Sequence, residues 1–190
     1  MRLSPRYQYI VLCEDAQMKS FIMSFLLAER IPRGKMRFKA VPAGVGSGES
    51  FVIKNYPMEV MYLQKNNFNR IVLVVCVDAD RDNFDEKEQK LKKELLKHNE
   101  TCGIKRLERP IMLWVPRRQI ENWIHYLRNE DTNEEKDYRH TGKPERCKEE
   151  AERMVALFQG ENVVDYELLP SIIRAKNEYE RICKIQADRP

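Results

Sequence analysis

The strongest constraint on the fold is the segment 70–83, which has the sequence RIVLVVCVDADRDN. Seven consecutive apolar residues occupy positions 71–77, and most of them are β-branched. An uninterrupted run of this kind predicts a strand that is buried on both faces, as in the middle of a parallel sheet. Asp78, Asp80 and Asp82 follow the run at every second position. The strand should therefore deliver carboxylates to the carboxyl edge of the sheet, where α/β proteins place their active sites.

These carboxylates have two interpretations. Hard cations such as Mg²⁺ prefer oxygen ligands, so an acidic cluster after a buried strand indicates a metal site. The acids could instead form a solvated turn, with Asp82 as the N-cap of a helix that begins near Phe84. The rest of the chain favours the metal site, because it brings further acids to the same edge.

Strand and helix patterns alternate along the 190 residues, a length that suits one domain with a sizeable core. This order predicts an α/β, Rossmann-like fold with a central, mainly parallel sheet of four or more strands, flanked by helices. We expect residues 1–130 to form the functional domain, and residues 131–190 to form a charged loop and a helical C-terminal extension packed on it. The predicted strands lie at 9–13, 35–41, 71–78 and 111–115, with a small one near 104–107; the predicted helices lie at 16–29, 50–66, 84–99, 119–127, 144–158 and 168–184.

The composition narrows the class of protein. Charged residues make up 34% of the chain and hydrophobic residues 42%, which is typical of a globular protein with a heavily charged surface. The net charge of +4 does not by itself indicate nucleic acid. The five cysteines form no CxxC pair, so we expect reduced thiols, a cytoplasmic location and no structural zinc. The sequence shows neither a signal peptide nor a transmembrane span, so no membrane association is expected.

Strand 35–41 alternates apolar and basic residues. The pattern predicts a half-buried strand near a sheet edge, with Lys35, Arg37 and Lys39 on its outer face. These side chains either bind nucleic-acid phosphates or protect an exposed edge from pairing.

A glycine-rich loop, 42–48, follows this strand and contains Gly44, Gly46 and Gly48. It matches neither Walker A nor GxGxxG. Its place between a strand and a helix would expose backbone N–H groups to an anion. Alternatively, the loop is a turn that needs the dihedral freedom of glycine.

The topology has a consequence for chain-distant acids. All strands of a parallel sheet end at the same edge, so Glu14, the glycine loop, Asp78 and Glu121 should meet there. Several carboxylates at one edge repel one another unless a cation lies among them. The sequence therefore predicts a divalent-metal site whose candidate ligands are Glu14, Asp78, Asp80, Asp82 and Glu121.

These residues resemble the motifs of the Toprim domain. The likeness consists of a glutamate after the first strand (VLCED), a DxD motif after a buried strand (VDADRD) and a later acid in the segment 116–123, PRRQIENW. It covers residues 9–127 and is greatest to the OLD-like and stand-alone bacterial Toprim nucleases. The resemblance implies a Toprim-like catalytic domain that hydrolyses phosphodiester bonds of DNA or RNA with Mg²⁺ or Mn²⁺.

The resemblance also implies residue roles. Glu14 would be a metal ligand or general base, Asp78 and Asp80 the metal-binding pair, and Glu121 a ligand or positioning group for a second cation. Lys143 would be the basic catalytic residue near the scissile phosphate. Asp82 is a third candidate ligand from the DxD segment. Phosphate contacts would come from the basic strand, the glycine loop, Arg117 and Arg118.

The implied partners are nucleic acid and either a separate ATPase subunit or a second copy of the chain, in a role such as antiviral defence. Two alternatives stay open. A receiver-like phosphoacceptor domain would use Glu14, Asp15 and Asp78, but it leaves Asp80 and Glu121 unexplained. A non-catalytic adaptor would use the same fold as a scaffold.

Overall fold

A computed structural model describes residues 1–41, 47–66, 68, 70–80, 82–98, 106–138, 143–161 and 163–188. Its centre is a sheet of four parallel strands in the order β2-β1-β3-β4. The α/β class and the parallel sheet predicted from the sequence are confirmed. The strands are β1 (Gln8–Cys13), β2 (Met36–Ala40), β3 (Ile71–Cys76) and β4 (Ile111–Trp114).

Helices cover both faces of the sheet. The helices are α1 (Ala16–Ala28), α2 (Gly48–Lys65), α3 (Phe84–His98), α4 (Ile120–Leu127), α5 (Lys148–Phe158) and α6 (Pro170–Ala187). Buried residues of α2 and α3 form one core against the sheet, and those of α1, α4, α5 and α6 form the other. The two C-terminal helices thus share a core with α1 and α4. In the described part of the chain, every helix is too short or too polar to cross a membrane.

Strand β3 lies inside the sheet, between β1 and β4, as predicted. Val72 and Val74 face one core, and Leu73 and Val75 face the other, so every residue of the strand is buried. Burial on both faces is the reason for the unbroken apolar run.

Some element boundaries differ from the sequence prediction. Helix α2 begins at Gly48 rather than at position 50, because the Ser47 side chain caps it by accepting the backbone N–H of Ser50 at 3.4 Å. The small strand expected near 104–107 falls partly outside the described residues, and Arg106–Glu108 form a 3₁₀ turn. Helix α5 begins later than expected, at Lys148.

The strand order defines where a site can form. From β1 the chain adds β2 on one side and β3 on the other. The carboxyl ends of β1 and β3 therefore flank a topological switch point, the crevice in which doubly wound α/β proteins bind ligands. Cys13 and Cys76 are register partners at these two strand ends, so the residues that follow them begin side by side. Both are buried free thiols, as expected.

Candidate acidic site at the sheet edge

Glu14 follows β1 directly and turns towards the end of β3. Its carboxylate oxygen Oε1 accepts a hydrogen bond from the backbone N–H of Asp78 at 3.0 Å. The strand register brings the two residues together, because Cys13 and Cys76 pair immediately before the strands end. Two residues predicted from distant parts of the sequence thus meet at the switch point.

The Asp78 side chain is almost completely enclosed, with 7% of the residue exposed. Its Oδ1 atom is buried and has no hydrogen-bond partner among the described residues. Burial, together with the negative charges of Glu14, Asp15, Glu121 and Asp80, raises the pKa of Asp78 well above its usual range. A buried carboxylate in this position needs either a proton or a cation to balance it.

Glu14 is affected in the same direction. Burial raises the pKa of Glu14 to about 7, although the Asp78 N–H and the positive charge of Lys87 act to lower it, while Asp80 and Glu49 add repulsion. A carboxylate with a pKa near neutrality is suited to accept or release a proton at physiological pH.

Asp80 is exposed and adopts a left-handed backbone conformation, with φ of 54°. A tight turn holds it, since the N–H of Asp82 donates to the carbonyl of Ala79 at 2.8 Å. Left-handed residues other than glycine are uncommon and are enriched at functional sites. The turn places Asp80 in the wall of a pocket of about 420 Å³.

Asp82 was a candidate N-cap of the helix that begins at Phe84, and this prediction is wrong. Asn83 and Glu86 form a capping box: the Glu86 N–H donates to Asn83 Oδ1 at 3.0 Å, and the Asn83 N–H donates to Glu86 Oε2 at 2.8 Å. Asp82 instead forms ion pairs with Lys90 at 2.6 Å and Lys87 at 3.1 Å. Hydrogen bonds from these lysines lower the pKa of Asp82.

The site also contains three residues that were not predicted from the sequence: Glu49, Lys87 and Lys90. Glu49, in the first turn of α2, has its Oε1 atom 2.8 Å from Lys87 Nζ and 3.1 Å from Lys90 Nζ. The signal was present in the sequence: Glu49 begins a helix that starts at the acidic edge, and the two lysines are one turn apart on α3. The pocket is lined by Glu49, Asp80, Asp82, Lys87, Lys90, Arg118, Gln119 and Asp137.

Gly48 lies against Glu14. A Cβ atom built at Gly48 would be 2.7 Å from Glu14 Cβ and 2.9 Å from Glu14 Oε2. Gly48 is therefore needed for the close approach of α2 to the end of β1. Gly44 and Gly46, the other glycines predicted to bind an anion, lie outside the described residues.

Gly48→Ala should displace Glu14 and lower the melting temperature by roughly 3–8 °C, because a methyl group would overpack this contact. Differential scanning fluorimetry measures the change. Gly34→Ala is the matched control, since a Cβ at Gly34 meets nothing within 4 Å, and it should be neutral or slightly stabilising. Equal melting temperatures for the two variants would show that Gly48 does not hold Glu14 in place.

Glu121, in the first turn of α4, lies on a different side of the cluster. Its charge contributes to the raised pKa of Asp78, so it is near the edge. It lines a second cavity, of about 150 Å³, together with Gln17, His125 and Arg128. The charge of Glu121 thus acts on the acidic cluster, but Glu121 is not among the described residues that line the pocket beside Asp80.

The basic residues of β2 are engaged within the fold. Arg37 Nη2 lies 2.6 Å from Glu59 Oε2 of α2, Lys39 also forms an ion pair with Glu59, and the Glu59 side chain is buried. The Arg37 guanidinium also lies over the Tyr62 ring, 4.7 Å from its centroid. β2 is an edge strand of the described sheet, as predicted. Arg37 and Lys39 on its outer face stay partly exposed while they contact Glu59 of α2. Lys35 ends the 3₁₀ turn that precedes the strand.

The remaining predicted basic residues differ in position. Arg117 donates to the Asp82 carbonyl and to Glu135 Oε1, both at 2.7 Å, and so braces the turn after β3. Arg118 donates to the Glu135 carbonyl at 3.1 Å and lines the pocket. Lys143 is exposed and lies outside the described lining of the pocket.

The donor chemistry of the edge fits a hard divalent cation. Among the residues that the structure describes, no three His, Cys, Asp or Glu side chains form a complete metal-binding group. Mg²⁺ does not require one, because it usually keeps several waters and takes one or two carboxylates together with substrate phosphates. Asp78, whose Oδ1 has no partner among the described residues, and the neighbouring Glu14 are two carboxylates of this kind.

No family model, curated protein or solved structure matches this chain. The likeness to Toprim domains therefore stays a prediction from the motifs. A fold alone does not determine an activity, which depends on the residues and geometry of the site.

Proposed function

We propose that this protein is a divalent-metal-dependent nuclease that hydrolyses phosphodiester bonds, with Glu14, Asp78 and Asp80 at its centre. The observation that carries the proposal is the contact between Glu14 and the Asp78 backbone at the β1/β3 switch point, beside a buried Asp78 oxygen that has no partner among the described residues. Clustered carboxylates with raised pKa values are the expected environment for a bound cation and for proton transfer.

Each residue has a defined part in the proposed reaction. Asp78 and Asp80 would hold Mg²⁺ or Mn²⁺, and the bound ion would stabilise charge on the phosphate and lower the pKa of a water. Glu14, whose pKa of about 7 allows it to gain or lose a proton near neutral pH, would act as ligand or general base. Arg118, which lines the adjoining pocket, would contact a phosphate of the substrate.

The test is incubation of the protein with supercoiled plasmid, single-stranded DNA and tRNA, each with Mg²⁺, Mn²⁺ or EDTA. We expect cleavage of at least one substrate with a divalent ion and none with EDTA. Glu14→Gln, assayed in parallel, controls for a contaminating nuclease. Cleavage that persists in EDTA or in Glu14→Gln would contradict the proposal, as would the absence of divalent-ion binding in a calorimetric titration.

A receiver-like phosphoacceptor is the second candidate, because the strand order places acids after β1 and β3 as that class requires. Two contacts weigh against it. The Asp15 carboxylate caps α1 by accepting the Met18 N–H at 2.8 Å, and Asp78 is enclosed. Incubation with acetyl phosphate and Mg²⁺ followed by intact-mass measurement distinguishes the two, since a receiver would gain one phosphoryl group and cleave no nucleic acid.

A further inference from the structure

The acidic edge contains two groups of carboxylates that differ in what balances their charge. In the first, Glu14 accepts the Asp78 N–H, Asp78 Oδ1 is buried without a partner among the described residues, and the charge of Asp80 acts on both side chains. In the second, Glu49 and Asp82 each contact two lysines at 2.6–3.1 Å. Among the described residues, the first group forms no ion pair, although the charge of Lys87 acts on Glu14, whereas the second group is paired with both Lys87 and Lys90.

Lys87 is the central cation of the second group. The residue is 1% exposed, and its Nζ lies 2.8 Å from Glu49 Oε1 and 3.1 Å from Asp82 Oδ2. Both contacts are ion pairs between the ammonium and a carboxylate oxygen. A buried ammonium is tolerated only when opposite charge surrounds it. Lys87 therefore bridges two carboxylates that would repel each other without a cation between them.

Two helix N-termini fix this arrangement. The capping box of Asn83 and Glu86 sets the first turn of α3, and the Lys87 N–H donates to the Asn83 carbonyl at 3.1 Å. Glu49 is held in the first turn of α2 by the Ser47 cap. The capped first turns of α2 and α3 thus hold Glu49 and Lys87 in positions where their side chains meet.

We propose that the Lys87 ammonium is a built-in cation that takes the place of a second metal ion, so that the acidic edge binds one divalent ion per chain, at Glu14, Asp78 and Asp80. A second ion between Glu49 and Asp82 would have to displace two ammonium groups, one of them buried. The position of the single ion rests on the proposed function; the role of Lys87 rests on its own contacts. Asp82 is then a partner of lysine and not a metal ligand.

Metal stoichiometry tests the proposal directly. Titration of the protein with Mn²⁺, followed by electron paramagnetic resonance of the free ion, should give one bound ion per chain. Asp82→Asn should keep that ion with an affinity within about threefold, whereas Asp80→Asn should weaken it by about 10–100-fold, the usual effect of losing a group that supports a metal. Two ions in the wild type, or equal losses in the two variants, would overturn the proposal.

Lys87→Met provides the complementary experiment, since methionine keeps much of the side-chain length and removes the charge. In EDTA its melting temperature should fall by roughly 5 °C, and Mn²⁺ should restore it as a second ion binds between Glu49 and Asp82 and displaces the half-exposed Lys90 ammonium. Lys92→Met, at an exposed position of the same helix, is the control and should change neither quantity. If Lys87→Met does not fold, the comparison of Asp82→Asn with Asp80→Asn decides the question alone.

The outcomes separate this inference from the proposed function. One ion in the wild type and two in Lys87→Met support both. One ion in each would overturn the role of Lys87 and leave the nuclease proposal standing. No ion in the wild type and one in Lys87→Met would support the built-in cation and overturn the nuclease proposal, and no ion in either would overturn both.

Discussion

Asp80→Asn should lower the rate of metal-dependent cleavage at least about 100-fold, because a bound ion contributes several kcal/mol to the reaction and depends on the charge of its ligands. The change should leave the fold intact. Asp80 is exposed, and asparagine tolerates the left-handed conformation that this residue adopts, with φ of 54°. We therefore expect a melting temperature within about 2 °C of the wild type in EDTA.

The control for this prediction is Asp85→Asn, which makes the same chemical change on α3. The Asp85 side chain is 76% exposed, and its ion pair with Arg174 is long, at 3.5 Å. It should cleave at the wild-type rate. Equal cleavage by the two variants would show that Asp80 is not a ligand, and loss of folding in Asp80→Asn would show that the residue is structural.

Metal dependence of stability adds a second readout. The charge of Asp80 contributes to the raised pKa values of Glu14 and Asp78, so its removal relieves repulsion in the metal-free protein. Mg²⁺ should therefore raise the melting temperature of the wild type and have a smaller effect on Asp80→Asn. An equal rise in melting temperature with Mg²⁺ for the wild type and Asp80→Asn would show that the ion binds away from Asp80.

The part of the site that could be predicted from the sequence follows from local signals and one topological rule. The apolar run before Asp78 indicated an interior strand without reference to the rest of the chain. Because parallel strands share their carboxyl edge, Glu14 was expected beside Asp78, and a 3.0 Å hydrogen bond joins them. Neither step required knowledge of how any helix packs.

The remaining features depend on tertiary contacts that have no sequence pattern of their own. Lys87 lies in the predicted helix 84–99, where no sequence pattern marks it as buried, and its burial results from the packing of α3 against α2. The cap of α3 was assigned one residue early, at Asp82, because Asp and Asn are equally good N-caps and only the structure shows that Asn83 makes the contacts. Arg37 lies on the outer face of its strand, as expected, but its ion pair with Glu59, a residue of the following helix, has no sequence signal.

The largest effect on stability is expected at the edge strand β4, on the side of the sheet away from β2. Side chains of α6 form hydrogen bonds there with backbone groups in and just before β4. Glu178 Oε2 accepts the N–H of Leu113 at 3.0 Å, and Arg181 donates to the carbonyl of Arg109 at 2.9 Å and to that of Ile111. Helix α6 thereby provides hydrogen-bond partners that a neighbouring strand would otherwise provide to β4, and it blocks the pairing of β4 with a strand of another chain.

Glu178→Gln should destabilise the protein by about 3 kcal/mol, which corresponds to a fall in melting temperature of roughly 6–12 °C. The carboxylate neutralises Arg106 and Arg181, whose side chains are 11% and 18% exposed, and glutamine would leave both guanidinium groups without that charge. Glu180→Gln, at an exposed position of the same helix, should have little effect. Equal stabilities for these two variants in urea would show that Glu178 does not hold α6 on β4.

The difference between wild type and Glu178→Gln should also depend on pH, with a sign set by the carboxylate. Burial alone would raise the pKa of Glu178, but the hydrogen bond from Arg181 and the charges of Arg106 and Arg181 outweigh it and lower the pKa. The unfolded chain then binds a proton before the folded chain does, so the stabilisation is complete above the ordinary glutamate pKa of about 4.3 and is lost as the pH falls through the lower folded-state value. Urea unfolding at neutral pH and in steps below about pH 4 should show a constant difference that then shrinks. A difference that persists unchanged into acid would mean that packing, and not the charge of Glu178, joins α6 to the edge of the sheet.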